Sequence, residues 1–220
     1  MKRILGQLLI GLILVAGMSA TRPAAADDFD FYVLSLSWSP TWCAANDPDG
    51  QTPQCNGKRS YGLIVHGFWP QYDHGFPQDC PSSEPARVPG SLLRGYYDII
   101  PSAGLAGHEW RKHGTCSGLS QQRYFSLLRA AFSRIKLPPV IFNGSINRNL
   151  KTGDIEDLMT SFNPGMTQDG ISVICEKGKL SEIRICMTKS LDYRACGEVD
   201  RQSCNKSVVT LPGILKEKIE

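Results

Sequence analysis

Residues 29–38 of the chain, FDFYVLSLSW, alternate in character and are rich in aromatic and β-branched side chains. A period of two is typical of a β-strand, because successive side chains of a strand point to opposite faces of the sheet. Ser39-Pro40 is expected to end this strand. Tyr61–Val65 predicts a second strand that presents His66 at its end, and Gly67–Tyr72 is then expected to turn away from the sheet.

Strand and helix patterns are mixed along the rest of the chain. Ile171–Glu176 and Leu180–Met187 flank Lys177-Gly178-Lys179, which predicts a hairpin. Gln121–Ile135 has apolar residues at helical spacing and predicts an amphipathic helix that packs on the core. Further helices are expected at Ser91–Ile100, from about Ala103 to Gly114, a left-handed residue that would close the helix, and at Gly153–Phe162. A last strand is expected at Ser207–Thr210. Because these elements follow no regular βαβ order, the sequence predicts an α+β fold with a central, mostly antiparallel sheet flanked by helices.

Residues 1–26 have the features of a secretory signal peptide. Lys2 and Arg3 precede an apolar run from Ile4 to Ala16, and Ala24-Ala25-Ala26 offers small residues for cleavage. The run is shorter than the roughly 20 residues of a membrane span. We therefore expect a periplasmic or secreted protein with no membrane attachment after cleavage, in which residues 27–220 form a single domain.

The charge of residues 27–220 is balanced. The whole chain has 24 Lys and Arg against 21 Asp and Glu, and the leader holds three bases, Lys2, Arg3 and Arg22, and no acid, so 21 bases remain against 21 acids. Global basicity therefore gives no reason to expect a nucleic-acid partner. Any attraction for one has to be local.

All eight cysteines lie after residue 26. An even number of cysteines in an exported chain indicates four disulfide bonds. The chain has no Cys-x-x-Cys, so neither a redox motif nor a zinc ribbon is indicated. Eight cysteines allow 105 pairings, and their spacing alone does not choose among them.

The stretch HEWRKH at residues 108–113 concentrates proton-carrying and charged side chains. In a helix, Glu109 and His113 are i,i+4 neighbours, and so are His108 and Lys112. The two pairs lie side by side and form a patch that can move protons and hold negative charge.

The spacing of the two histidines in this stretch argues against zinc. The zinc-protease signature His-Glu-x-x-His places its histidines four residues apart on one helical face. His108 and His113 are five residues apart, which rotates one ring from the other by roughly 140°. We therefore expect no metal site here.

Two motifs give this chain a resemblance to a known family. His66-Gly67-Phe68-Trp69-Pro70 resembles the first active-site segment of the ribonuclease T2 family, and His108–Cys116 resembles the second. FDFYVLSLSWSPTWC near the beginning and LSEIRIC…RACG near the end are similar to that family as well, so the resemblance covers most of residues 27–220. It implies a ribonuclease T2-like fold and a bacterial periplasmic or secreted member.

The resemblance implies an endoribonuclease that cleaves single-stranded RNA through a 2′,3′-cyclic phosphate, without cofactor or metal ion. His113 would be the general base on the 2′-hydroxyl and His66 the general acid for the leaving 5′-oxygen. Glu109 and Lys112 would stabilise the charged transition state, and His108 would contact the phosphate. Imidazole suits both proton transfers because its pKa is about 6.5.

Base recognition is expected to be broad. Trp69 would stack on a base, an interaction worth roughly 1–3 kcal/mol. The sequence departs from the family pattern at Phe68, where Leu is usual, and at Ser37, where many eukaryotic members carry Gln. Gln71 stands where some members use Asp to select a purine, so the base preference stays open.

The resemblance also selects one pairing of the cysteines. Cys43 would join Cys55, Cys80 would join Cys116, and Cys175 would join Cys204 around a nested bond between Cys186 and Cys196. Each bond would close a loop and restrict the unfolded chain.

Two rival classes of function remain. A catalytically silent protein that binds RNA or a partner could use the same fold, although every proton-transfer position is occupied here. A metal hydrolase is disfavoured by the histidine spacing. An enzyme of the expected kind would act on RNA and leave DNA intact, because DNA lacks the 2′-hydroxyl nucleophile. We expect it to be a monomer.

Overall fold

The computed structural model describes residues 28–214, and the expected signal peptide at residues 1–26 lies outside them. Within the described residues the strands are β1 Phe31–Trp38, β2 Leu63–Gln71, β3 Arg148–Lys151, β4 Ile171–Glu176, β5 Lys179–Met187 and β6 Val208–Leu211. The helices are α1 Ser39–Asn46, α2 Gly90–Leu93, α3 Ala103–Lys112, α4 Gln121–Arg134, α5 Pro139–Phe142, α6 Thr152–Phe162 and α7 Gly197–Asp200. None of the helices in this range is long and apolar enough to cross a membrane.

The strands form one sheet in the order β2-β1-β5-β6-β3, and β4 also pairs with β5. Every pairing is antiparallel except that of β5 with β6, which consists of the single parallel pair Lys179–Thr210. The β4–β5 hairpin turns at Lys177 and Gly178, whose φ angles of 49° and 77° suit a two-residue hairpin loop. The predicted α+β class with a mostly antiparallel sheet is confirmed.

The two faces of β1 have different surroundings. Its even-numbered side chains, from Tyr32 to Trp38, belong to the main hydrophobic cluster. Phe31 and Val33 belong to a smaller cluster on the opposite face, and Ser35 and Ser37 continue that face. The alternation in FDFYVLSLSW therefore separates a core face from a second face whose small side chains leave room for a site.

Helices α3 and α4 cover the core face. Tyr124, Phe125, Leu128 and Ala131 of α4 are buried, as the helical pattern predicted. Trp110 of α3 is fully buried in the same cluster, and its indole N–H donates to the carbonyl of Pro85. Full burial of side chains of this size contributes about 1.5–3 kcal/mol each, so Trp110 anchors α3 firmly.

The four expected disulfide bonds are present, and none of the cysteines in the described part of the chain is free. They join Cys43 to Cys55, Cys80 to Cys116, Cys175 to Cys204 and Cys186 to Cys196. The pairing is the one that the family resemblance implied. These bonds tie loops to α1, to the turn after α3, to β4 and to β5.

Several elements differ from the sequence expectations. Ser39-Pro40 ends β1 but also begins α1, because proline suits the first turn of a helix, where its missing N–H is not needed. The helix expected at Ser91–Ile100 is only Gly90–Leu93, and turns follow from Arg94 to Ile99. Arg148–Lys151 was not predicted, because a strand this short has no period of its own and forms by pairing with β6.

Candidate active site

His66 lies in the middle of β2, at a β-bulge. Ser35 of β1 pairs with Gly67 and Leu36 pairs with Val65, so His66 is an extra residue without a partner on β1. The prediction that the strand ends at His66 and that Gly67–Tyr72 turns away was wrong, since β2 continues to Gln71. A bulge re-aims one side chain while the strand goes on, and here it turns the imidazole to the second face of the sheet.

Helix α3 supplies the other side of the site. It begins at Ala103, as predicted, where the Ser102 hydroxyl accepts a hydrogen bond from the N–H of Leu105 at 3.1 Å. Glu109 lies in the last turn of α3, and His113 follows directly after the helix ends. The backbone N–H of His113 donates to the carbonyl of Glu109 at 2.9 Å. The disulfide bond between Cys80 and Cys116 lies directly after this turn and fixes it to the preceding loop.

Glycine closes this turn differently from the prediction. Gly114 is not left-handed; it begins a 3-10 turn, Gly114–Ser117, and the left-handed residue is Gly118 with φ 70°. Gly114 is needed for space, because a Cβ there would lie 2.4 Å from Cε3 of Trp110. The chain directly after His113 therefore packs closely against the buried indole ring of Trp110.

The bulge and α3 face each other across a cleft of 260 Å³. It is lined by Val33, His66, Trp69, Gln71, Phe76, His108, Glu109, Lys112, His113, Arg184, Val199 and Gln202. The six side chains predicted for catalysis and substrate binding are all in this lining. Their roles remain predictions, but the folded chain brings them to one place.

His66 is held between two carboxylates. Its Nδ1 is hydrogen-bonded to Oε1 of Glu182, and its Nε2 lies 3.7 Å from Oε1 of Glu109. Burial lowers the pKa of the His66 imidazole, but the hydrogen bond and charge of Glu182, the charge of Glu109 and the opposing charge of Arg184 together leave that pKa raised above 6.5. The same contacts outweigh burial at Glu182 and lower the pKa of its carboxyl. The surroundings thus favour the protonated form of His66.

Glu109 is buried against Trp69. The indole N–H donates to Oε2 of Glu109 at 2.6 Å, and only 5% of the residue is exposed. Burial raises the pKa of the Glu109 carboxyl in spite of that hydrogen bond and of the nearby charges of His66, His108 and Lys112. Gly67 makes the contact possible, because a Cβ there would lie 1.9 Å from Nε1 of Trp69.

His113 has the opposite electrostatic surroundings. It is 6% exposed, its buried Nδ1 has no hydrogen-bond partner, and its ring centroid lies 5.4 Å from Trp69 and 6.0 Å from Phe76. Burial, followed by the charges of Lys112, His108 and His66, lowers the pKa of His113 to about 3. The surroundings of His66 therefore favour its protonated form, whereas those of His113 favour its neutral form.

Sequence reasoning missed two charged residues of the cleft. Glu182 and Arg184 lie on β5 and pair with Ser37 and Ser35 of β1, so they share the second face of the sheet with the bulge. The signal was available: Glu182 and Arg184 carry opposite charges two residues apart among the apolar residues of β5, and side chains two apart in a strand share one face. In the sequence, LSEIRIC contributes to the family resemblance but gives Glu182 and Arg184 no role of their own.

The two histidines of the HEWRKH stretch differ in exposure. His108, on α3, is exposed, and His113, just beyond the end of α3, is buried. Within residues 28–214, no three His, Cys, Asp or Glu side chains are grouped so that they could hold a metal ion.

Solved structures share this fold. The RNase-related protein from Calystegia sepium has a TM-score of 0.69 at 21% identity, over 86% of this chain and 98% of that one. Trichomaglin, described as a novel S-like ribonuclease, has a TM-score of 0.67 at 20% identity, over 85% of this chain and 99% of that one. At such identities the similarity establishes the architecture: a disulfide-bonded α+β domain of the ribonuclease T2 kind.

The sequence profile of the ribonuclease T2 family matches residues 29–196, and the chain belongs to that family. A protein named ribonuclease from Aeromonas hydrophila is 40% identical over 129 residues, which are 58% of this chain and 56% of that protein. A probable ribonuclease from Haemophilus influenzae is 32% identical over 194 residues, 82% of this chain and 64% of that protein. The chain thus spans less than two thirds of the length of these two relatives.

Proposed function

We propose that this protein is an endoribonuclease that cleaves single-stranded RNA by transphosphorylation, with low base specificity and without a metal ion. One observation carries the proposal: of the three imidazoles that line the cleft, His66 lies beside carboxylates and buried His113 lies beside cations. A base and an acid with separated pKa values are what the two proton transfers of this reaction need. Membership of the ribonuclease T2 family supports the same conclusion.

His113 serves as the general base. Its lowered pKa keeps the imidazole neutral above a pH of about 3, so that a ring nitrogen can take the proton of the 2′-hydroxyl. The 2′-oxygen then attacks phosphorus and forms the new O–P bond. Burial of His113 against Trp69 and Phe76 fixes the ring for this transfer.

His66 serves as the general acid. Its raised pKa favours the protonated form, and it donates that proton to the 5′-oxygen as the P–O5′ bond breaks. The products are a 2′,3′-cyclic phosphate and a free 5′-hydroxyl. Slower hydrolysis of the cyclic phosphate uses the two histidines in exchanged roles.

The remaining side chains act on charge and position. Lys112 and exposed His108 hold the phosphate, whose negative charge grows in the transition state. Glu109 orients the groups around it through Trp69 and His66, and the indole ring of Trp69 supplies a surface on which a base stacks. Stacking accepts every base, which is consistent with broad specificity.

The disulfide bonds and the relatives also bear on where the protein acts. Four disulfide bonds are typical of an oxidising compartment, and two of the relatives come from bacteria. We infer a bacterial protein whose residues 1–26 are removed on export to the periplasm or the medium. Residues 27–220 then act as a single-domain monomer on RNA, with no DNA substrate.

The test is cleavage of RNA and of DNA of matched sequence by the protein in EDTA. RNA is expected to be cut to fragments with 2′,3′-cyclic phosphate ends, and DNA is expected to survive because it lacks the 2′-hydroxyl. His66→Ala and His113→Ala should abolish cleavage, whereas His74→Ala, at a side chain that is 89% exposed, should not. Cut DNA, or RNA binding without cleavage, would contradict the proposal; the latter would favour a silent binding protein.

A further inference from the structure

We propose that Glu182, held by Arg184, is a positioning residue that orients the His66 imidazole for proton donation; this inference rests on the proposed function. Neither residue belongs to the two active-site motifs. Both are on β5, two strands away from the bulge that carries His66.

The carboxylate of Glu182 is fully engaged, one oxygen to each partner. Oε1 is hydrogen-bonded to Nδ1 of His66, and Oε2 accepts from Nε and Nη2 of Arg184 at 3.0 and 2.9 Å. Only 9% of the Glu182 side chain is exposed. Because Nδ1–H donates to the carboxylate, the transferable proton of protonated His66 is the one on Nε2.

Arg184 is itself held from other directions. Its Nη1 donates to Oε1 of Gln202 at 2.6 Å, and its Cζ lies 5.3 Å from the centre of the Trp69 ring. The guanidinium therefore has a fixed place between a strand neighbour, a loop amide and an aromatic ring. A positioning group has to be supported in this way, since a mobile carboxylate would not fix the ring it binds.

The charges around His66 determine what removal of Glu182 would do. Glu182 and Arg184 face the imidazole from β5, Glu109 faces it from α3, and His113 lies across the cleft. Without the Glu182 charge, Arg184 would stay beside His66, and of these carboxylates only Glu109, 3.7 Å from Nε2, would offset it. Burial and Arg184 would then both lower the pKa of His66, and proton donation would fail at a lower pH than in the wild type.

The first experiment compares pH profiles of kcat/KM for Glu182→Gln and wild type on a dinucleotide substrate. Glutamine keeps the shape and removes the charge. The alkaline limb should move to lower pH, the acidic limb should stay, and kcat at neutral pH should fall at least about 10-fold, within the roughly 10⁴-fold that the loss of an orienting carboxylate causes in a Ser-His-Asp triad. Glu156→Gln removes the charge of a half-buried carboxyl on α6 and should leave the profile unchanged.

The second experiment separates positioning from folding. A uridine 3′-(4-nitrophenyl phosphate) ester releases nitrophenolate, which leaves without being protonated, so an acid is not needed. Glu182→Gln should lose far less activity on this ester than on the dinucleotide. Equal losses on both, or an alkaline limb at the wild-type pH, would overturn the inference. A wild-type protein that cleaves neither substrate would overturn the proposed function itself, which is a separate result.

Discussion

Gly67→Ala should damage the candidate site without replacing any side chain to which we assign a role in the reaction. A Cβ at position 67 would lie 1.9 Å from Nε1 of Trp69 and 2.3 Å from Oε2 of Glu109. Those atoms are joined by a 2.6 Å hydrogen bond, so at least one of them must move by about 1 Å or more to reach an ordinary contact distance.

The expected loss of stability follows from two effects. A hydrogen bond to a charged group contributes about 1.5–3 kcal/mol, and overpacking a tight site costs about 1–3 kcal/mol. Alanine restricts the unfolded chain and offsets about 0.4–1 kcal/mol of this. The net loss is about 2–5 kcal/mol, which for a domain of this size lowers Tm by roughly 4–20 °C.

Calorimetry and initial cleavage rates test this expectation together. A 1 Å displacement of a positioned group can lower the rate by about 10²-fold, so activity should fall more than stability alone explains. Gly153→Ala is the matched control, because a Cβ there meets nothing within 4 Å and its position in α6 favours alanine. A Gly67→Ala protein with the Tm and kcat/KM of the wild type would refute the account of this contact.

Three further predictions concern the bond next to α3, the proton transfers and the indole. Replacing both Cys80 and Cys116 by serine opens a loop spanning 36 residues, so the free energy of unfolding measured in urea should fall by about 4 kcal/mol; an unchanged midpoint would count against it. The kcat/KM profile should rise as pH passes about 3, where His113 loses its proton, and fall only above pH 6.5, where His66 loses its own; a rate that climbs steadily to high pH would reject this assignment. Trp69→Phe keeps an aromatic ring but removes the N–H that donates to the buried carboxylate of Glu109. We expect kcat to fall by the equivalent of about 1.5–3 kcal/mol, with a smaller change in KM. An unaltered kcat would show that this hydrogen bond has no part in the reaction.

The sequence predicted the α3 side of the site well because the relevant pattern is local. Helical periodicity alone put Glu109 and His113 on one face, and the fold adds only the burial of that face. The start of α3 after Ser102 was equally predictable, because a serine cap acts within one turn.

The β2 side could not be predicted in the same way. Whether His66 ends a strand or forms a bulge depends on which residues of β1 pair with its neighbours. The pairing of strands that are distant in sequence cannot be inferred from a short stretch of residues. The prediction that Gly114 is left-handed was wrong for a similar reason. A glycine is needed there because Trp110 leaves no space for a Cβ, and that requirement comes from tertiary packing. Glu182 and Arg184 stand out as charges among apolar residues. The partner of Glu182, His66, however, lies 116 residues away in sequence.

The bulge has a consequence for how this protein can change. Residues on either side of His66 keep antiparallel pairing, with Gly67 opposite Ser35 and Val65 opposite Leu36. Deletion of one codon, that of His66, would therefore leave an uninterrupted ladder with every core side chain still facing inward. The scaffold and the proton donor that we propose are therefore separable at this position, and a single mutational event could remove the donor and keep the scaffold.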